Sequence, residues 1–178
     1  MRNFRSNFRR PEWWSLVLLS LFASCQTIPA EADAQALDSD PRMGLWHGHR
    51  TDGDSGTRHS MTLRVESILG GAGRVEHLRI PLPESDYLGY AVEVHDPQWN
   101  RPVRQYVNNR RMRFVRLEGS REEGRWIWLS AGENELRRSK LVTEIRNGLW
   151  LRKQYRTTDG GATWQLLWQD ELERVNNR

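Results

Sequence analysis

The sequence predicts an all-β fold, an antiparallel up-and-down barrel of about eight to ten strands. Three observations carry this. Apolar and polar residues alternate with a period of two over most of the chain after Gly44. Turn signals punctuate those runs at short, regular spacing, as a meander of hairpins requires. Seven of the nine tryptophans lie after residue 24, and most supply bulky, flat side chains on strand faces, enough to fill or line a barrel interior with few residues.

The elements follow in chain order. Residues 1–24 read as a signal peptide: Arg2, Arg5, Arg9 and Arg10 precede a short apolar stretch, Trp13 to Phe22, that ends in the small residues Ala23 and Ser24. That stretch is shorter than the ~20 residues of a spanning helix. The chain's one cysteine, Cys25, follows directly. Residues 25–42 read as a linker, rich in Ala and Asp and poor in large apolar groups, able to span roughly 23 Å as a coil. Residues 43–178 form the folded body. Within it, Met61, Leu63 and Val65 alternate with Thr62, Arg64 and Glu66. Leu88, Tyr90, Val92 and Val94 alternate with Gly89, Ala91, Glu93 and His95. Trp164, Leu166 and Trp168 alternate with Gln165, Leu167 and Gln169. Each pattern predicts a strand with one buried and one wet face. Breaks fall at Gly70-Gly71-Ala72-Gly73, Asp96-Pro97, Asn108-Asn109, Asn147-Gly148 and Asp159-Gly160-Gly161. At most one or two helical turns are expected, within 131–140.

Charge divides along the chain. The formal net charge is +4, but the first 24 residues carry +3 of it. The high isoelectric point therefore does not argue for nucleic-acid binding by the body. A lone cysteine excludes an internal disulfide framework and any multi-cysteine zinc site.

Two resemblances follow from quoted residues. Leu21-Phe22-Ala23-Ser24-Cys25 resembles the lipobox of bacterial lipoproteins. That likeness implies acylation of Cys25, an anchor in a lipid bilayer, and an outer-membrane lipoprotein facing the periplasm, with a soluble periplasmic or secreted protein as the alternative. Gly44-Leu45-Trp46 resembles the G-x-W that opens lipocalins and related calycin barrels. The likeness implies that Trp46 plugs the closed end, with Arg152 or Arg174 packed across it. Thr157 to Trp164 is similar to the Asp-box pattern S/T-x-D-x-G-x-S/T-W; one copy implies a braced hairpin, not a sialidase-like propeller.

Candidate site residues form two sets. Trp46, Trp126, Trp128, Trp164, Trp168 and Tyr90 are expected to line the barrel wall around a small hydrophobic or amphipathic ligand. Arg104, Arg110, Arg111 and Arg113 belong to an arginine run interleaved with Tyr106 and Phe114, an expected patch for an anionic ligand or an envelope partner. In a secreted chain nucleic acid is not an expected partner. His47 and His49 share a strand face, but no spacing fixes a further ligand among His59, His77 and Glu93, so no metal or other cofactor is expected. With no G-x-S-x-G elbow, P-loop or H-E-x-x-H helix, no catalytic residues are assigned, and a non-catalytic protein is favoured over an enzyme. The first functional reading is a membrane-anchored binding barrel. Its rival is a structural or interaction lipoprotein of the envelope, with an arginine-rich surface and no internal ligand.

Overall fold

A computed structural model describes residues 40–130 and 136–176. Residues 1–39, on which the expected signal peptide, Cys25 and most of the expected linker fall, lie outside the described residues. Ten strands follow one another: β1 (Gly44–Asp52), β2 (Arg58–Ile68), β3 (Gly73–Ile80), β4 (Tyr87–Asp96), β5 (Arg101–Asn108), β6 (Val115–Glu122), β7 (Arg125–Ser130), β8 (Arg138–Arg146), β9 (Leu149–Thr157) and β10 (Gln165–Arg174). Each pairs antiparallel with its neighbours in sequence, and β1 pairs with β10 from Trp46↔Arg174 to Asp52↔Trp168. The sheet is a closed up-and-down barrel, so it has no free edge. Helix content is a single 3₁₀ turn, Leu69–Gly71, among the described residues. The expected helical turns within 131–140 are not found in the part described there: Arg138 to Lys140 already belong to β8, and 131–135 lie outside the described residues.

Turn chemistry explains the lower end of the barrel. Asn147 and Gly148 both take positive φ, 52° and 78°, as a two-residue type I′ hairpin demands. Glu123 and Gly124 do the same at β6–β7, at 48° and 81°. The upper end carries the longer connections β1–β2, β3–β4, β5–β6, β7–β8 and β9–β10.

Residues Asp40 to Met43 close the lower end. Asp40 and Arg42 fall in the stretch read as linker, yet Arg42 is only 4% exposed. Its Nη2 meets Asp40 Oδ2 at 2.8 Å and its guanidinium carbon lies 4.0 Å from the Trp126 ring centroid. A polar segment can be buried there because the barrel supplies charged partners for it. Trp46, 2% exposed, donates its indole N–H to the Arg42 carbonyl at 2.9 Å, and Arg174 stacks over its ring at 5.0 Å.

The inward residues form two apolar clusters. Trp46, Met61, Leu63, Val65, Leu78, Ile80, Trp150 and Leu172 make one, from β1, β2, β3, β9 and β10. Leu117, Trp126, Trp128 and Leu141 make the other, from β6, β7 and β8. Two expected faces differ from this structure. In β4 the inward set is Gly89, Ala91 and Glu93, while Leu88 and Tyr90 face solvent. Size decides this strand: a Cβ on Gly89 would sit 2.6 Å from the Tyr106 hydroxyl, so only a small residue fits under that ring. In β10 a bulge between Leu166 and Trp168 puts those two residues on opposite faces.

Candidate functional site

The interior between the clusters is charged. It begins with side chains that share the inward phase of the buried tryptophans: Arg50 follows Trp46 by four residues, Arg152 follows Trp150 by two, and Asp170 precedes Leu172 by two. Arg50 binds Asp170 through Nε at 2.7 Å and Nη2 at 2.9 Å. Arg104 clasps Glu76 with two nitrogens at 2.5 and 2.7 Å. Arg152, on β9, reaches Glu76 on β3 at 3.4 Å. That contact spans the lumen, because β10, β1 and β2 stand between the two strands in the sheet order. Below, Arg74 pairs with Glu93 and Asp40, and Arg42 approaches Glu93 at 3.5 Å.

Burial and pairing compete at each group. Burial pushes the Glu76 carboxyl up, but Arg104 and Arg152 outweigh it and hold it well below the usual carboxylate range. Burial, reinforced by Arg42, pushes Arg74 down to about 9. Burial also lowers Arg152, with Glu76 and Asp170 opposing. Arg50 is raised, since Asp170 more than offsets its burial. The tryptophans stack within this network: Arg50 lies 3.7 Å from the Trp168 ring centroid, and Arg104 lies 5.9 Å from that of Trp128. Toward the upper mouth the Tyr87 and Tyr106 hydroxyls meet at 2.5 Å. Burial, then Tyr87, raise the Tyr106 phenol far above its ordinary value.

The structure places the expected wall residues in three settings. Trp46, Trp126 and Trp128 are buried in the interior, at 2%, 8% and 1% exposure. Trp168 is half-buried at the mouth against Arg50. Trp164 and Tyr90 are outside it. Trp164 packs under the β9–β10 turn, near Gly161, with the Lys140 ammonium 4.1 Å from its ring. Tyr90 projects outward and meets His77 edge to face at 4.9 Å. In the same turn Thr157 and Thr163 hydroxyls each donate to the Asp159 carboxylate at 2.6 Å, holding it well below the usual carboxylate range.

The arginine run divides as well. Arg104 is not part of a surface patch; it is 2% exposed and bound to Glu76, because its position on β5 has the inward phase. Arg110, Arg111 and Arg113 are exposed at the tip of β5–β6, beside the exposed Met112 and Phe114. Arg110 donates to the Ser85 carbonyl at 3.0 Å. The outer face of β1 to β5 beside this tip holds an open depression of about 730 Å³, lined by His47, His77, Leu88, Tyr90 and Met112 among others. His47 and His49 lie on the outside whereas Glu93 is inside. Among the described residues no three His, Cys, Asp or Glu side chains are grouped to hold a metal.

The ion network escaped sequence reasoning, although its phase relative to Trp46, Trp150 and Leu172 was available. A barrel that buries ion pairs does not show its interior as a period-two pattern of hydrophobicity. No protein-family model matches the chain, and no curated protein matches it.

Proposed function

We propose that the protein is a lipid-anchored, calycin-like barrel of the bacterial envelope that works through its outer surface, without catalysis. The observation that carries this is the Arg152–Glu76 contact across the lumen. A closed barrel is compatible with ligand binding, but here a paired arginine and four buried tryptophans occupy the space a drug-sized ligand would need. The lipobox-like string ending at Cys25 supports acylation and a periplasm-facing outer-membrane site. The Trp46 plug with Arg174 across it supports the calycin likeness, and the Asp159 hydrogen bonds support the Asp-box likeness of the β9–β10 turn.

The working surface in this reading is the β5–β6 tip. Met112 and Phe114 are 78% and 69% exposed and stand among Arg110, Arg111 and Arg113. Exposed apolar side chains ringed by arginines match an anionic phospholipid surface, where each basic residue contributes about 1 kcal/mol. The chain from residue 26 onward, which lacks both the basic, apolar leader and the acylated Cys25, is floated with vesicles of phosphatidylglycerol and phosphatidylcholine. Binding should fall at least tenfold on adding Arg110→Glu and Arg111→Glu, and should weaken with salt. Equal flotation of both chains on anionic vesicles overturns the reading. An envelope protein is then the remaining partner class. The anchor has its own test: Cys25→Ala alone should release the native protein from membranes.

A further inference from the structure

The buried charges separate into a balanced and an unbalanced group. At the lower end Arg42 and Arg74 face Asp40 and Glu93, two against two. In the centre, among the described residues, Arg50, Arg104 and Arg152 pair with two acids, Glu76 and Asp170. All five central side chains belong to residues no more than 6% exposed. The two groups touch through Arg104 and Glu93 at 3.8 Å, which leaves the sum unchanged. One positive charge therefore stands uncompensated in a region of low dielectric, and a guanidinium does not relieve this by losing its proton near neutral pH.

Four of the buried unpartnered donors lie in this part of the barrel, while Arg74 Nε and Arg101 Nε lie elsewhere. Arg152 Nε and Nη1 are buried without hydrogen-bond partners. Nη1 stands 3.7 Å from the nearest Asp170 oxygen, an ion-pair distance too long for a hydrogen bond. The Thr143 hydroxyl, directly opposite Arg152 in the β8–β9 register, is also unpartnered. So is the indole N–H of Trp150, two residues before Arg152 on the same face. Excess charge and orphan donors are independent observations, and they converge on Arg152.

We propose that the barrel centre binds one compact monoanion, a halide or a small carboxylate, against Arg152, Thr143 and Trp150. The crowding that excludes a drug-sized molecule limits the occupant to an ion of a few atoms. The half-buried residues Trp168, Gln154 and Tyr106 stand between this point and the upper mouth. This site is independent of the surface reading above, and neither depends on the other's outcome.

Thermal unfolding of the full chain tests it. Chloride, bromide and formate are each exchanged for gluconate, which is too bulky to enter, at constant ionic strength. The expected result is a saturating rise in Tm with chloride and bromide, with formate, or with both; the active anions name the source. Thr143→Val, which keeps shape and removes one donor, should weaken the anion's apparent affinity about tenfold. Arg152→Gln should abolish the anion effect, and if that variant does not fold, Thr143→Val decides. A bromide-soaked crystal should show its anomalous peak at Arg152. A Tm that follows ionic strength alone, as water at these donors would give, overturns the proposal. So does an unchanged anion affinity in Thr143→Val, or a crystal whose bromide peaks lie only on the surface.

Discussion

Replacing Glu76 by Gln should be among the most destabilising conservative changes in this protein. Its two oxygens accept from Arg104 at 2.5 and 2.7 Å and from Arg152 at 3.4 Å, all inside the barrel. Gln keeps the shape but removes the charge and turns one acceptor into a donor aimed at a guanidinium. Leaving buried cations short of a partner costs about 3–5 kcal/mol. For a folded body of roughly 140 residues that is a fall in Tm of about 10–15 °C. Urea unfolding followed by tryptophan fluorescence would read the loss as a lower midpoint at unchanged slope. The pH dependence gives a second reading. The folded pKa of Glu76 is depressed, so its contribution is complete above the unfolded value near 4.3. It is lost as pH falls from there through the folded pKa. Wild-type stability should decline across that acidic window more steeply than that of Glu76→Gln. A loss below about 1 kcal/mol, or identical acid slopes, would refute the view that this ion network holds the centre of the barrel.

Two further outcomes follow from the packing. Gly119→Ala should destabilise by about 1–3 kcal/mol in urea, because the added Cβ would lie 2.6 Å from the Trp128 ring and 2.9 Å from Pro102. Trp128, 1% exposed, has no space to retreat into. Tyr106→Phe tests the hydroxyl pair at the mouth in an alkaline titration followed at the phenolate absorbance band. The folded pKa of Tyr106 is raised above the unfolded value near 10. Its stabilisation is therefore complete below that pH and is lost as pH rises toward the folded pKa. The wild type should show a late phenolate step coupled to unfolding that Tyr106→Phe lacks; a step present in both chains would assign it elsewhere.

Legibility differed by element. The Met61-Leu63-Val65 strand was readable because its inward side meets an apolar cluster, so hydropathy and burial coincide. The Asn147-Gly148 turn was readable because positive φ at two successive residues is a local demand. In β4 the reading failed: Gly89, Ala91 and Glu93 face inward to fit beneath Tyr106 and to meet Arg74, while Leu88 and Tyr90 lie outside. Trp126 and Trp128 share the buried face of β7, as a spacing of two dictates, but the bulge that separates Leu166 from Trp168 leaves no mark in composition. The arginine run looked like one patch until the register of β5 drew Arg104 inside and left Arg110, Arg111 and Arg113 at the tip.

By itself, the sequence determined the all-β class, the meander order and most turn positions. These rest on alternation and backbone preference, which act over a few neighbouring residues. Only the tertiary structure decided the register in which β1 meets β10 and that the middle of the barrel is held by ion pairs rather than apolar packing. Glu76 and Arg152 are 76 residues apart in the chain. The free energy of a charge depends on what surrounds it after closure, and no local pattern records which side chains will arrive there.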